Sequence, residues 1–349
     1  MPKGATDVRP DTTLRVRAVG GSLSSVTVTP QKGKAVEGSL DGPQWTSSGF
    51  LSPTTTYELS ATGRNDAGAT QTATSTFTTL TPRLTATYRV LPDGETVGVG
   101  MPAMVVFDSP VTTPAQRAAV ERQVSIVTTP QQEGAWGWSN NSQLLWRPQT
   151  FWKPGTKVSV NAPLTGLQTG DGKWVGRNAA ATFTVGRARI STVDLKRHKM
   201  TVTEAGKVVK TYPISGGQST YKYITRSGTK VITEKLAHLT MDAATLGVAK
   251  SDPGYYKLDV NYAMRVTNTG EFLHSAPWSV WAQGRSNVSH GCTNMGPADA
   301  REMFRESLVG DVVHFTGSNR PMRPGDGMDA WVYSWKNWRA RSALTATQA

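Results

Sequence analysis

The chain has 349 residues, more than one hydrophobic core usually organises, so two or three domains are expected, and three suit its punctuation. Lys and Arg outnumber Asp and Glu by 38 to 25, a net charge of +13 that favours a polyanionic neighbour; the basic residues form no dense run interleaved with aromatics, which argues against nucleic acid. Eleven Trp and 37% hydrophobic residues argue against disorder, while abundant Thr, Ser, Val and Gly with 20 Pro argue for mostly β structure. No stretch reaches the ~18 apolar residues of a membrane span, and the opening MPKGATDVRP lacks the apolar core of a signal peptide. Either a cytosolic protein or the exported part of one whose export segment precedes this sequence is expected.

Residues 12–81 alternate in short segments, such as Leu14 to Val19 and Ser25 to Val28, separated by Gly, Pro and Asn-Asp turns. Thr54 to Thr62, the turn Asn65-Asp66-Ala67-Gly68 and Ser75 to Thr78 look like the closing hairpin of an immunoglobulin-like sandwich. The same grammar returns over 82–186: Ala103 to Phe107, a short polar helix near 114–122, Leu144 to Pro148, Lys157 to Asn161 and Ala181 to Gly186. Two tandem sandwiches are therefore expected. Trp45, Trp136, Trp138, Trp146, Trp152 and Trp174 fall within them, and packing is the expected role, since no spacing sets them side by side on one strand face.

A third, larger β domain over 187–318 opens with Ile190 to Leu195 and the hairpin Met200 to Val209. Its helix is expected over 297–309, with Pro297 in the first turn, Ala300, Met303, Phe304 and Leu308 on one face, and Gly310 as stop. In the basic extension 319–349, Trp331, Trp335 and Trp338 stand at i, i+4 and i+7, which predicts a short amphipathic helix docking on this third domain.

The single cysteine, Cys292, cannot form an internal disulfide, and its setting, Ser289-His290-Gly291-Cys292-Thr293-Asn294, is polar and Gly-containing. A helix start or an imidazole nearby would lower its pKa from roughly 8.5 to between about 3.5 and 7.5. Gly291 permits a positive φ and close approach of a substrate carbonyl to backbone N–H groups, the elements of an oxyanion hole. Of the five histidines, His290 is two residues from the sulfur and His274, in Phe272-Leu273-His274-Ser275-Ala276-Pro277-Trp278, ends an apolar strand; both are candidates for the base. His198, His238 and His314 read as ordinary side chains. Gly216-Gly217 lacks the Lys-Ser/Thr pair of a phosphate loop and reads as a hairpin turn. No Cys, His and carboxylate cluster has metal-ligand spacing, so no cofactor is expected.

His274 followed fifteen residues on by Ser289-His290-Gly291-Cys292-Thr293-Asn294 resembles the signature of the L,D-transpeptidases. His274 to Trp278 and Met241-Asp242-Ala243-Ala244-Thr245 resemble the actinobacterial branch, whose members carry immunoglobulin-like modules before the catalytic domain. The resemblance implies a mainly β protein, two immunoglobulin-like sandwiches followed by a catalytic β-sandwich. It implies Cys292 as nucleophile, His274 as base, Ser275 as the residue whose carbonyl orients His274, and Gly291 and Cys292 as oxyanion donors. Ser289, His290, Asn294, Met241, Tyr256 and Trp278 would bind substrate, His290 and Asn294 by shaping the loop and Met241, Tyr256 and Trp278 by lining a channel beneath a lid over 238–262. Leu246, where this branch often has an aromatic residue, and Met295, after the motif Asn, depart from the pattern and bear on acceptor and inhibitor preference.

The activity so implied is 3→3 cross-linking of peptidoglycan stem peptides through a cysteine thioester, with D-Ala released and acylation by carbapenems and related β-lactams. The implied place is the cell envelope, outside the cytoplasm, with the sandwiches as a stalk and membrane contact only through an N-terminal anchor preceding this sequence. The rival readings are a hydrolytic cysteine peptidase and a non-enzymatic wall-binding protein.

Overall fold

The computed structural model describes residues 4–220, 223–252 and 255–345, without the side chain of Leu246. In the first sandwich the sheet Ala5–Val8, Thr70–Thr79, Thr56–Arg64, Ser22–Pro30 faces a smaller one of Arg15–Arg17, Gln44–Ser47 and Gly38–Asp41. Its first strand lies upstream of the expected start at residue 12, pairing parallel to Thr70–Thr79. Val28, Trp45, Leu51, Tyr57 and Phe77 fill the core, where Tyr57 and Phe77 stack at 5.2 Å.

The second sandwich has two four-stranded sheets: Thr96–Val97, Ala179–Val185, Lys157–Ala162 and Ser125–Thr129 form one, and Gly134–Asn140, Gln143–Pro148, Ala103–Phe107 and Tyr88–Leu91 the other. The helix Pro114–Gln123 starts with a capping box, Thr113 Oγ1 accepting from Gln116 N while Gln116 Oε1 accepts from Thr113 N. All six sandwich Trp except Trp136 are buried, and Trp146 stacks on Trp152 at 5.0 Å, so they pack the cores.

In the third domain the sheet Lys207–Pro213, Lys199–Glu204, Arg189–Asp194, Val312–Thr316, Gly228–Val231 is accompanied by a second of Glu234–Asp242, Lys257–Arg265, Phe272–Ser275 and Thr293–Met295. Val193, Met200, Val202, Tyr212, Met264, Leu273, Met295 and Phe315 form the core between them, joined by Ala300 and Met303 of the helix Pro297–Glu306. That helix stops at Ser307, earlier than the expected 309, because Ser307 turns extended while its N–H still caps Met303 O.

The second and third domains meet backbone to backbone: Gly98 N donates to Val309 O and Gly100 N to Gly310 O, at 2.8 and 2.9 Å. A Cβ on Gly98 would stand 2.1 Å from Asp311 N, so the approach requires glycine there.

The C-terminal extension corrects the expectation that it docks on the catalytic domain. Residues 320–326 do run along that domain, Met322 N donating to Ser227 O and Asn268 N to Asp326 O. The Trp-bearing part then crosses to the second sandwich, as a 3₁₀ turn Asp329–Trp331 and a separate helix Trp335–Arg339 rather than one amphipathic helix. Trp338 is fully buried against Leu145, its Nε1 donating to Ala135 O at 3.0 Å. Two features of the sandwich receive it. Gly137 leaves room for the indole, since a Cβ there would lie 2.9 Å from the ring, and the buried Arg147 guanidinium sits over Trp331, Trp335 and Trp338 at 4.6, 5.2 and 5.7 Å. Among the described residues, no helix is long and apolar enough to cross a membrane.

Candidate active site

The strands Phe272–Ser275 and Thr293–Met295 pair in parallel, with Leu273 opposite Thr293 and His274 opposite Asn294. Since side chains alternate along a strand, His274 and Asn294 share one face of this pair, and Cys292 immediately precedes the second strand. His274 and Cys292 are both buried and both line a cavity of about 340 Å³, together with Met241, Tyr256, Trp278, Ser289, His290 and Asn294. Every candidate residue except Ser275 and Gly291 thus lines this one cavity.

His274 Nδ1 is 2.8 Å from Ser275 O, which makes Nδ1 the protonated nitrogen and leaves Nε2 with a free lone pair. Burial drives the imidazole down to about 4, opposed by that backbone bond. Cys292 Sγ donates to Gly270 O at 3.5 Å. Burial pushes its thiol up to about 12, with a backbone bond from Phe272 lowering it, Glu271 adding to the rise and Lys230 opposing it. The expected depression of the thiol is therefore corrected. The strand Thr293–Met295 separates Cys292 from the helix at Pro297, and desolvation outweighs the neighbouring charges. The resting pair is a thiol and a neutral imidazole.

Hydrogen bonds lock the motif loop. Ser289 Oγ donates to Cys292 O at 2.6 Å and accepts from Gly291 N at 3.1 Å, while Thr225 Oγ1 donates to Gly291 O at 2.8 Å. Gly291 has φ +127°, a region L-residues rarely adopt. Because its N–H is already bonded to Ser289, Gly291 differs from its expected part as an oxyanion donor. Gly216-Gly217 forms no hairpin turn: Ser289 N donates to Gly216 O, Gly217 bridges Ser289, and a Cβ on Gly217 would lie 1.9 Å from Tyr223 O. The two glycines let this segment lie flat against the motif.

Asn294 Nδ2 donates to Ser279 Oγ at 2.9 Å, tying the strand to the turn Pro277–Ser279. His290 is exposed and lies between two rings, 4.6 Å from Tyr223 and 5.2 Å from Tyr256, so it builds the cavity wall. Met241 and Tyr256 pack with Cys292 in a small apolar cluster beneath the hairpin Glu234–Asp242 and Lys257–Arg265. His198, His238 and His314 are not among the residues lining the cavity. The Leu246 side chain, marked as a departure in the lid, lies outside the described residues.

The sequence reading missed the cavity residues Leu258, Ser279, Trp281 and Val288. Trp281 could have been found, as a second Trp three residues after Trp278. It also missed a buried ion network beside the loop. Lys230, without exposed side chain, donates to Glu271 Oε2 at 2.6 Å, and Arg226 bridges Glu271 Oε1 at 3.0 Å and Asp326 Oδ2 at 3.1 Å.

A family model described as a bacterial Ig domain matches residues 5–168, and one described as the L,D-transpeptidase catalytic domain matches 188–315. L,D-transpeptidase 2 of Mycobacterium tuberculosis (strain CDC 1551 / Oshkosh) is 38% identical over 344 residues, 97% of this chain and 83% of that protein. The chain belongs to the L,D-transpeptidase family. L,D-transpeptidase 5 of Mycobacterium tuberculosis (strain ATCC 25618 / H37Rv) is 33% identical across 97% of this chain and 75% of its own length. Among solved structures, the LD-transpeptidase LdtMt1 in complex with imipenem superposes with a TM-score of 0.57 at 35% identity, over 67% of this chain and all of that one. The L,D-transpeptidase activity, the mainly β architecture and the Ig-like modules ahead of the catalytic domain agree with this membership.

Proposed function

We propose that this L,D-transpeptidase forms 3→3 cross-links between peptidoglycan stem peptides through a thioester on Cys292. The observation that carries the reading is that His274, on one strand, and Cys292, immediately before the parallel strand paired with it, line one cavity. The donor is a tetrapeptide stem. As its third residue enters, Cys292 passes its proton to His274 Nε2 and the sulfur attacks that residue's carbonyl carbon, the L-centre of a diamino acid such as meso-diaminopimelate. The Cys292 N–H faces the developing oxyanion, while Ser289 holds Gly291 and Cys292 in register.

Collapse breaks the amide bond, and D-Ala leaves with the proton from His274. The side-chain amine of a second stem then attacks the thioester, gives a proton to His274 and restores the thiol. Met241, Tyr256 and Trp278 shape the channel, and Asn294 holds its floor to the turn at Ser279. Carbapenems acylate the same sulfur, a reading supported by the imipenem complex of the LdtMt1 relative. The substrate lies in the cell envelope, outside the cytoplasm, where the two sandwiches space the catalytic domain from the membrane and basic residues favour anionic wall polymers.

Mass spectrometry of disaccharide-tetrapeptide incubated with the protein tests this. Wild type is expected to release D-Ala and build dimer, and Cys292→Ala to do neither. Tripeptide without dimer would make the chain a hydrolase, and an unchanged substrate would remove the catalytic reading. Exposure to a carbapenem is expected to add one drug mass to wild type and none to Cys292→Ala.

A further inference from the structure

The cavity's rim carries an exposed aromatic surface of which the proposed chemistry uses only Trp278, leaving Trp281 without a part. Trp278, Val280 and Trp281 are 51%, 51% and 68% exposed, on one turn, and both indoles line the cavity that holds Cys292. The turn is firmly held: Ser279 is bonded to Asn294, Gln283 Nε2 donates to Ala276 O at 3.2 Å, Gly284 N donates to Ile214 O at 3.0 Å, and Ala282 is fully buried. The Trp281 ring has no aromatic or cationic neighbour in contact among the described residues. A rigid turn therefore presents an indole face to solvent at the mouth of the site.

Resting on the transpeptidase reading, we infer that the Trp281 face, flanked by Trp278, binds the sugar ring to which the donor stem is attached. Three arguments select this occupant. First, the reacting carbonyl belongs to the third stem residue, and at roughly 3.3–3.6 Å per extended residue the sugar follows at about 10 Å from the sulfur, at the cavity's edge. Second, a pyranose presents a C–H face with polar edges, which matches an exposed indole that has water at its rim. Third, three side chains on one turn are far fewer than the ~20–30 residues a stable protein partner covers, whereas the surface is continuous with the cavity.

The test compares D-Ala release from disaccharide-tetrapeptide and from the same tetrapeptide without sugar, using the full chain and three variants at the exposed position 281. Trp281→Ala and Trp281→Leu are expected to raise KM for the sugar-bearing substrate on the order of 3- to 10-fold more than for the bare peptide, and Trp281→Phe to stay within about twofold of wild type. Equal losses on both substrates, or a Leu variant that behaves as wild type, overturn the sugar contact and assign Trp281 to the peptide or to plain apolar cover. A wild type that prefers neither substrate also overturns it while leaving the transpeptidase reading intact. If wild type releases D-Ala from neither, that reading fails and the sugar contact fails with it.

Discussion

His274 Nδ1 and the carbonyl oxygen of Ser275 stand 2.8 Å apart, so the group that orients the imidazole is a backbone atom of the next residue. A side-chain change at Ser275 leaves that carbonyl in place. Ser275→Ala is expected to keep D-Ala release within about threefold of wild type, whereas His274→Ala loses about 10²- to 10⁴-fold, the usual worth of a general base. A Ser275→Ala variant as impaired as His274→Ala would show that the hydroxyl, not the carbonyl, holds the imidazole.

Burial fixes the ionisation of the pair, and the pH dependence follows. With the thiol up to about 12 and the imidazole down to about 4, the free enzyme at neutral pH holds both groups uncharged. Alkylation of Cys292 by iodoacetamide, which consumes thiolate, is expected to accelerate about tenfold per pH unit from about 7 to 10. A rate already level in that range would reveal a preformed thiolate. Because His274 keeps its base form down to about 4, kcat/KM should fall on the acid side only through that value. Stability has the matching sign. The folded imidazole titrates below its unfolded value near 6.5, so between the two the unfolded chain binds the extra proton, and His274 removes stability as pH falls from about 6.5 to about 4. His274→Gln is expected to lose this part of the acid sensitivity.

Ser289 joins the motif loop to itself by one hydroxyl, donating to Cys292 O and accepting from Gly291 N. Ser289→Ala orphans a buried N–H and C=O, at a cost of about 1–3 kcal/mol, and lets the sulfur's own backbone drift. We expect kcat to fall roughly 10- to 100-fold with KM little changed, and Ser289→Thr to restore most of it, since its hydroxyl can make both bonds. Steady-state kinetics of D-Ala release on the two variants decides it; equal activity in Ala and wild type would mean the loop holds without the hydroxyl.

Much of this was readable in the chain. Lys157 to Asn161 appeared as a strand by its strict alternation, Ala103 to Phe107 as a short apolar run with paired Val, and the polar segment from Pro114 became a helix because Thr113 and Gln116 cap it. His274 and Cys292 were legible as residue types at a spacing, yet that spacing does not reveal that the pair is buried, so the sign of the thiol shift came out reversed. Lys230, Glu271 and Arg226 look like surface charges in one dimension; they form a buried network only because the strand Gly228–Val231 and the turn before Phe272 converge beside the loop. Gly216-Gly217 carries the signal of a turn, and its actual use depends on Tyr223 O and Gly291 lying against it.

The docking of the C-terminal segment was hidden for the same reason, since Gly137 and Arg147 are remote from Trp338 in sequence. Trp338 is fully buried on the second sandwich, over Gly137 and beside the Arg147 guanidinium. Trp338→Ala is expected to cost about 3–5 kcal/mol, the range for emptying a large aromatic site. Gly137→Val should reproduce much of that loss without touching the tryptophan, because its side chain would occupy the space of the ring. Chemical unfolding followed by fluorescence, with proteolysis of the C-terminal segment as a second readout, measures both. Were the segment docked on the catalytic domain instead, Gly137→Val would leave its protease resistance intact and only Trp338→Ala would release it.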